Sequence, residues 1–259
     1  MSTLAQDRSS FDPWHNVSPS CSDAEWRARV DLAAGHRIVG HFGWSNLVYN
    51  HFLARVPGEP GKCLVKPNDL TFEEVTASSL VKIDLEKGAE DPASIQASGF
   101  NIHTGVLLAR QDVNATLHVH TEAGMAVAAQ QGGLLPLTQT ALRFYKHLGV
   151  HSFDGVATDE EERYRVAQDL GPYKAMLLLN HGLFTCGRSI SEAIVVMKFL
   201  VTACEVQLRI QASGASFIIP SEEVCMATAR HFNAADRDRP AEWPALLRML
   251  DRIDTSYQD

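Results

Sequence analysis

The sequence predicts an α/β protein: a three-layer α/β/α sandwich around a central, mostly antiparallel or mixed sheet. Three observations lead there. Helix-like and strand-like segments follow one another as helix, antiparallel strands, helix, strand, helix, strand, helix. One strand-like segment alternates polar and apolar residues, and another is an unbroken apolar run that reads as a buried strand. No repeat, low-complexity stretch or linker divides the chain, so residues 22–259 read as a single domain behind a polar arm, 1–21, that carries Pro13 and Pro19.

Taken in order, Ser22-Asp23-Ala24-Glu25 has the form of a capping box and opens a helix through Trp26, Val30, Leu32 and Ile38 toward Gly40. Trp44 to Val56 is rich in β-formers and reads as one or two strands. Pro57 to Gly61 is a turn, and Lys62 to Lys66 is the returning strand. Thr71-Phe72-Glu73-Glu74 is a second box, predicting a short helix before the strand Leu80–Leu85. Ser98 to Arg110 has near-helical apolar spacing at Phe100, Ile102, Val106 and Leu107. Asn114 to His120 alternates as a strand. Thr121 to Gln131 is an alanine-rich helix stopped by Gly132-Gly133. Ala175 to Gly182 is an apolar run too short for a helix, so it reads as a buried strand whose last residues, Asn180-His181, emerge at its end. A third box, Ser189-Ile190-Ser191-Glu192, starts the longest helix, running to about Gly214. Two more helices pass through Val224, Met226 and His231 and through Leu246, Leu247 and Leu250.

Composition narrows the function. With 45% hydrophobic and 21% charged residues the chain looks globular. A formal net charge of −8 argues against nucleic acid, whose partners normally carry a basic excess. Five cysteines without a C-x-x-C pair fit a reducing cytoplasm better than a disulfide framework. Neither a signal peptide nor a membrane span is expected. No G-x-G-x-x-G, G-x-x-x-x-G-K or serine elbow is present, which leaves nucleotide binding and acyl transfer without a motif.

The histidines are more informative. A strand's period of two puts Thr116, His118 and His120 on one face and turns Leu117 and Val119 the other way. Two imidazoles at i and i+2, joined by His181 from a neighbouring strand, would make a three-histidine site that leaves a coordination position open. On spacing alone, hydrogen-bonded core histidines fit equally well. Small residues just beyond both segments, Ala123-Gly124 and Gly182, favour room for a ligand.

These segments, His118-Val119-His120 and Asn180-His181-Gly182, resemble the class II aldolase/adducin family over residues 22–215. Phe42-Gly43-Trp44, Tyr49-Asn50-His51, the run Glu74–Ile83 and Ala203-Cys204-Glu205 resemble its adducin head most. The resemblance implies the sandwich fold and a divalent ion on His118, His120 and His181: Zn²⁺, with Mn²⁺ and Fe²⁺ as alternatives. It also implies a homotetramer with sites at subunit boundaries, and Leu134-Leu135-Pro136-Leu137 would suit either such an interface or a core strand. Asn50 and Ser98 match residues that hold the substrate, and Asn68-Asp69 stands where a donor pair is expected. Asp69 would repel a phosphate dianion, unless it only closes the turn after Pro67.

The chief departure is Gly99, which stands where the family's aldolases carry the proton-moving glutamate. The resemblance therefore implies a metal-dependent lyase working by C–C cleavage or decarboxylation of a small oxygenated carboxylic or carbonyl substrate through a metal-stabilised enolate, with another proton carrier. Tyr145 leads the candidates, followed by His103, Glu122 and His147. Each also has a purely structural role open to it: interface aromatic, packed histidine, first-turn acid. Two other readings remain. One is a non-catalytic adducin-like scaffold with a vestigial metal site, although the chain carries no basic terminal run. The other is a three-histidine iron oxygenase, although the usual facial triad wants a carboxylate.

Overall fold

The structure is a computed structural model that describes residues 21–88, 97–155, 160–234 and 241–259, with the side chains of 97, 98 and 160 excepted. Of the predicted arm, 1–21, all but Cys21 lies outside the described residues.

Helix α1 (Asp23–His41) starts where Ser22 Oγ accepts a hydrogen bond from Glu25 N. Glu25 does not complete the capping box. Its carboxylate is buried and pairs with Arg29 and Lys82, tying the helix to the sheet edge. The next nine residues, 42–50, make a loop rather than a strand: Leu47 and Asn50 take positive φ, 52° and 81°, which extended backbone does not allow. Strand β1 (His51–Val56) follows, then β2 (Glu59–Val65) and, after a 3-10 turn at Phe72–Glu74 where a helix was expected, β3 (Val81–Asp84).

Helix α2 (Ala97–Ala109) leads to β4 (Ala115–Val119), whose chain passes directly into the short α3 (Glu122–Ala128). Three further elements carried no strong sequence signal: α4 (Gln139–Leu142), β5 (Gly149–His151) and α5 (Glu160–Leu170). The apolar run at 175–182 proves to be β6 (Ala175–Leu178) and a tight corner at 179–181. From there β7 (Gly182–Gly187) returns antiparallel to β6. Helices α6 (Ile190–Ala212), α7 (Glu222–Asn233) and α8 (Glu242–Asp251) end the chain with a 3-10 turn at Ser256–Gln258.

The seven strands lie in the order β3-β2-β1-β4-β7-β6-β5. All pairs are antiparallel except β5 with β6. One face packs Phe52, Leu64, Leu117 and Leu183 against α1 and α6. The other packs Leu53, Cys63, Met176 and Phe184 against α2 and α5. This is the three-layer sandwich that the order of elements predicts. Both faces of β4 are covered, so Thr116 and His118 are as buried as Leu117 and Val119. The alternation of Asn114–His120 thus sorts the strand between two cores, with its polar groups hydrogen-bonded in the α2/α5 layer.

Candidate metal centre and its cavity

The C-terminal end of β4 delivers His118 from the strand itself and His120 from the residue after it. His181 comes from the β6–β7 corner and not from a strand end. There Asn180 adopts φ 55°, turning the backbone so that the next side chain points back toward β4. Gly182 makes the approach possible, since a Cβ there would lie 2.6 Å from the Val119 carbonyl oxygen and 3.1 Å from His120.

The three rings converge. His118 Nε2 lies 2.7 Å from His120 Nε2 and 3.3 Å from His181 Nε2, and the three donor atoms lie within 4.8 Å of one another. His118 Nδ1 carries the ring proton and donates to the Leu183 carbonyl at 2.9 Å, which leaves Nε2 as a lone pair facing its neighbours. Asn46 reaches His120 Nδ1 at 3.4 Å from outside.

Burial, then the nearby rings, holds His118 well below the ordinary imidazole pKa. Burial, then His181, lowers His120 to about 4. His181 is also lowered, by burial and then His151. Held neutral, the three rings can turn lone pairs toward one point: His118 offers Nε2, and His120 and His181 can do the same once their ring protons sit on Nδ1. Metal–nitrogen bonds of about 2.0–2.1 Å would place tetrahedral donors about 3.3 Å apart, the separation of His118 from His181, while His120 stands closer to His118. The donor set therefore fits a borderline divalent ion.

The imidazoles form one wall of a cavity of about 340 Å³. Ile102, Met125, Phe153 and Leu178 make much of the rest, and Tyr49 stands at its mouth. Among the described residues no lysine or arginine lines it. His51, Gly99, His151 and Glu162 do.

The other predicted residues are placed differently. His103 is fully buried on α2 behind His118. Its Nδ1 is 2.8 Å from Thr116 Oγ1, its ring centroid is 6.4 Å from that of His118, and it does not line the cavity. Glu122 is exposed in the first turn of α3, and Tyr145 is half-buried after α4; neither lines the cavity within one chain. Asn50 is buried and donates its amide to the Trp44 carbonyl at 2.7 Å, bracing the loop ahead of β1. Asn68 is exposed beside His51 and Phe100 in a small neighbouring pocket. Ser98's side chain lies outside the described residues.

Sequence reasoning passed over two groups at the cavity. His51 pairs in register with His118 across β1 and β4, and its ring fills the space beside Gly99, where a Cβ would come within 2.3 Å. Position 51 was visible in Tyr49-Asn50-His51, but its partner was not. His151 and Glu162 come from β5 and α5, which no periodicity had marked.

An α/β/α sandwich that gathers three imidazoles at the end of a central strand defines a class of proteins with an open three-histidine centre. The chain belongs to the Class II Aldolase and Adducin N-terminal domain family, which matches residues 30–208. An aldolase class 2 protein of Pseudomonas aeruginosa is 42% identical over 252 residues, covering 94% of this chain and 96% of its own. Rat alpha-adducin is 37% identical over 247 residues, 87% of this chain but only 33% of the adducin. The crystal structure of an aldolase II superfamily protein from Pseudomonas syringae superposes with a TM-score of 0.86 at 38% identity, covering 94% of this chain and 98% of that one.

Proposed function

We propose that the protein is a divalent-metal-dependent lyase that cleaves or decarboxylates a small oxygenated carboxylic or carbonyl substrate. The observation that carries this reading is the convergence of His118, His120 and His181 on the wall of an open, largely apolar cavity. An ion held by those three side chains would supply Lewis acidity, drawing negative charge onto a substrate oxygen as the bond to carbon breaks. Zn²⁺ suits three neutral imidazoles best, with Mn²⁺ and Fe²⁺ as alternatives.

The chain's own groups restrict the substrate. Among the described residues no lysine or arginine lines the cavity, so none of them offers a cationic side chain to a phosphate dianion. The amide of Asn50 is already spent on Trp44. The apolar wall suits the body of an unphosphorylated molecule whose oxygens face the imidazoles, and it excludes water from them.

Elemental analysis of protein prepared without chelator or affinity tag tests the centre. About one ion per chain is expected, and His118→Ala, His120→Ala and His181→Ala should each lower it sharply while the protein stays folded. Unchanged metal in all three would sink the assignment. The likeness to alpha-adducin favours a second reading, a scaffold with a vestigial site. A protein that takes up no ion after loading with Zn²⁺, Mn²⁺ and Fe²⁺ in turn would put that reading first. We further propose a cytoplasmic homotetramer, consistent with five free cysteines and testable by light scattering. No helix among the described residues is long and apolar enough to cross a membrane.

A further inference from the structure

His151 closes the edge strand β5, and each of its ring nitrogens meets a carboxylate. Nε2 lies 2.6 Å from Glu162 Oε1 and Nδ1 lies 2.7 Å from Asp169 Oδ2. Such contacts are hydrogen bonds only when a proton sits in each. The three groups differ in where they stand. His151 and Glu162 are each 6% exposed and line the metal cavity. The Asp169 side chain is 40% exposed and faces water. A carboxylate, an imidazole and a second carboxylate thus run in line from the cavity to the surface. The far carboxylate fixes the ring's orientation, and the near one, whose Oε2 accepts from Arg165, shares a proton with Nε2 at the cavity lining.

We infer that the Glu162–His151 pair is the proton carrier of this cavity, with Asp169 as a positioning residue that holds Nδ1–H. The inference rests on the lyase reading above. When the substrate's C–C bond breaks, one fragment leaves as carbon dioxide, or as a carbonyl compound whose former hydroxyl proton passes to solvent, and the electron pair stays on the carbon that remains bound. That carbon forms a C–H bond with the proton held between Nε2 and Oε1, leaving a carboxylate on Glu162 and a neutral ring whose Nδ1–H still donates to Asp169. A proton from solvent restores the pair after product leaves. No oxidant or second reactant is needed. A staple joining β5 to α5 is the structural alternative, and the His151 carbonyl does accept from Leu179 N near the corner that carries His181. The variants must therefore spare the backbone and the metal.

The test follows solvent deuterium entering hydroxyacetone and glycolaldehyde by proton NMR, with metal-loaded protein and metal counted for each variant. Exchange of the carbon-bound hydrogen runs the same transfer in both directions. Wild type should exchange, and Glu162→Gln and His151→Asn should lose about 100-fold at unchanged metal content. His151→Gly should recover on addition of imidazole, which a staple would not do. Independently of turnover, the ¹⁵N signal of His151 Nε2 should move in Glu162→Gln while Nδ1 holds. Exchange at wild-type rates in both variants, or an unmoved Nε2 signal, would overturn the inference and leave the lyase reading standing. Wild-type protein with a full complement of metal that exchanges neither probe would overturn both.

Discussion

Gly99 shows how much one residue can say and withhold. The resemblance expects a glutamate at this position, but what occupies the space beside the glycine appears only with the His51 ring, whose atoms lie 2.3–2.6 Å from where a Cβ would stand. The two residues occupy one space, so a side chain at 99 and an imidazole at 51 exclude each other in this backbone. Gly99→Ala should therefore destabilise by about 1–3 kcal/mol, the usual cost of overpacking a filled site. Adding His51→Ala to it should return most of that loss, because the second change removes the clash. Denaturant unfolding of the two single variants and the double one measures the coupling, and additive losses would show that the ring moves aside freely. His118 and His120 were legible for the opposite reason: i, i+2 spacing is a local property, whereas the contact between 51 and 99 joins a strand to a helix.

Elements were legible where they announce their own ends. The serine caps at 22 and 189 place the starts of α1 and α6, and both hydroxyls accept the third backbone N–H beyond them. The β6–β7 hairpin was missed because Leu178 to Leu183 is uninterrupted by proline and its corner turns on Asn180, whose positive φ leaves no mark in hydropathy. The C-terminal 3-10 turn was missed too, since a single aromatic has no period. Tyr257 is fully buried, its hydroxyl donates to Asp251 Oδ1 at 2.7 Å, and its carbonyl accepts Ala77 N at 3.0 Å. It anchors the last turn of the chain against α1 and the loop before β3. Tyr257→Ala should cost about 3–5 kcal/mol, like other large aromatics removed from a core. Thermal unfolding checks this, and a shift of a degree or less would mean that the C-terminal turn is not part of the cooperative unit.

At the scale of the molecule, two cores on the faces of one sheet leave little water inside, and the histidines are caught in that dryness. His36 is fully buried on α1, with Nδ1 donating to the Leu32 carbonyl, and burial pushes it down to about 3. Burial also holds His103 and His118 well below the ordinary value. Each folded pKa lies below that of the unfolded chain. Below about pH 6.5 the unfolded state thus binds protons that the folded state refuses, and stability falls as pH falls. One such proton contributes a slope of up to ~1.4 kcal/mol per pH unit. His36 lies in the α1 layer, away from the metal ligands, so it separates general acid lability from loss of the ion. His36→Leu should lower the slope of unfolding free energy between about pH 3 and 6.5 by one proton, equally in metal-loaded and metal-free protein. In the wild type the slope should be steeper with the ion loaded, where protons compete with it for imidazole nitrogens, and His118→Ala, which does not hold the ion, should show no such difference. Unfolding free energies across that range decide it: an unchanged slope in His36→Leu would mean that its imidazole takes up a proton inside the fold.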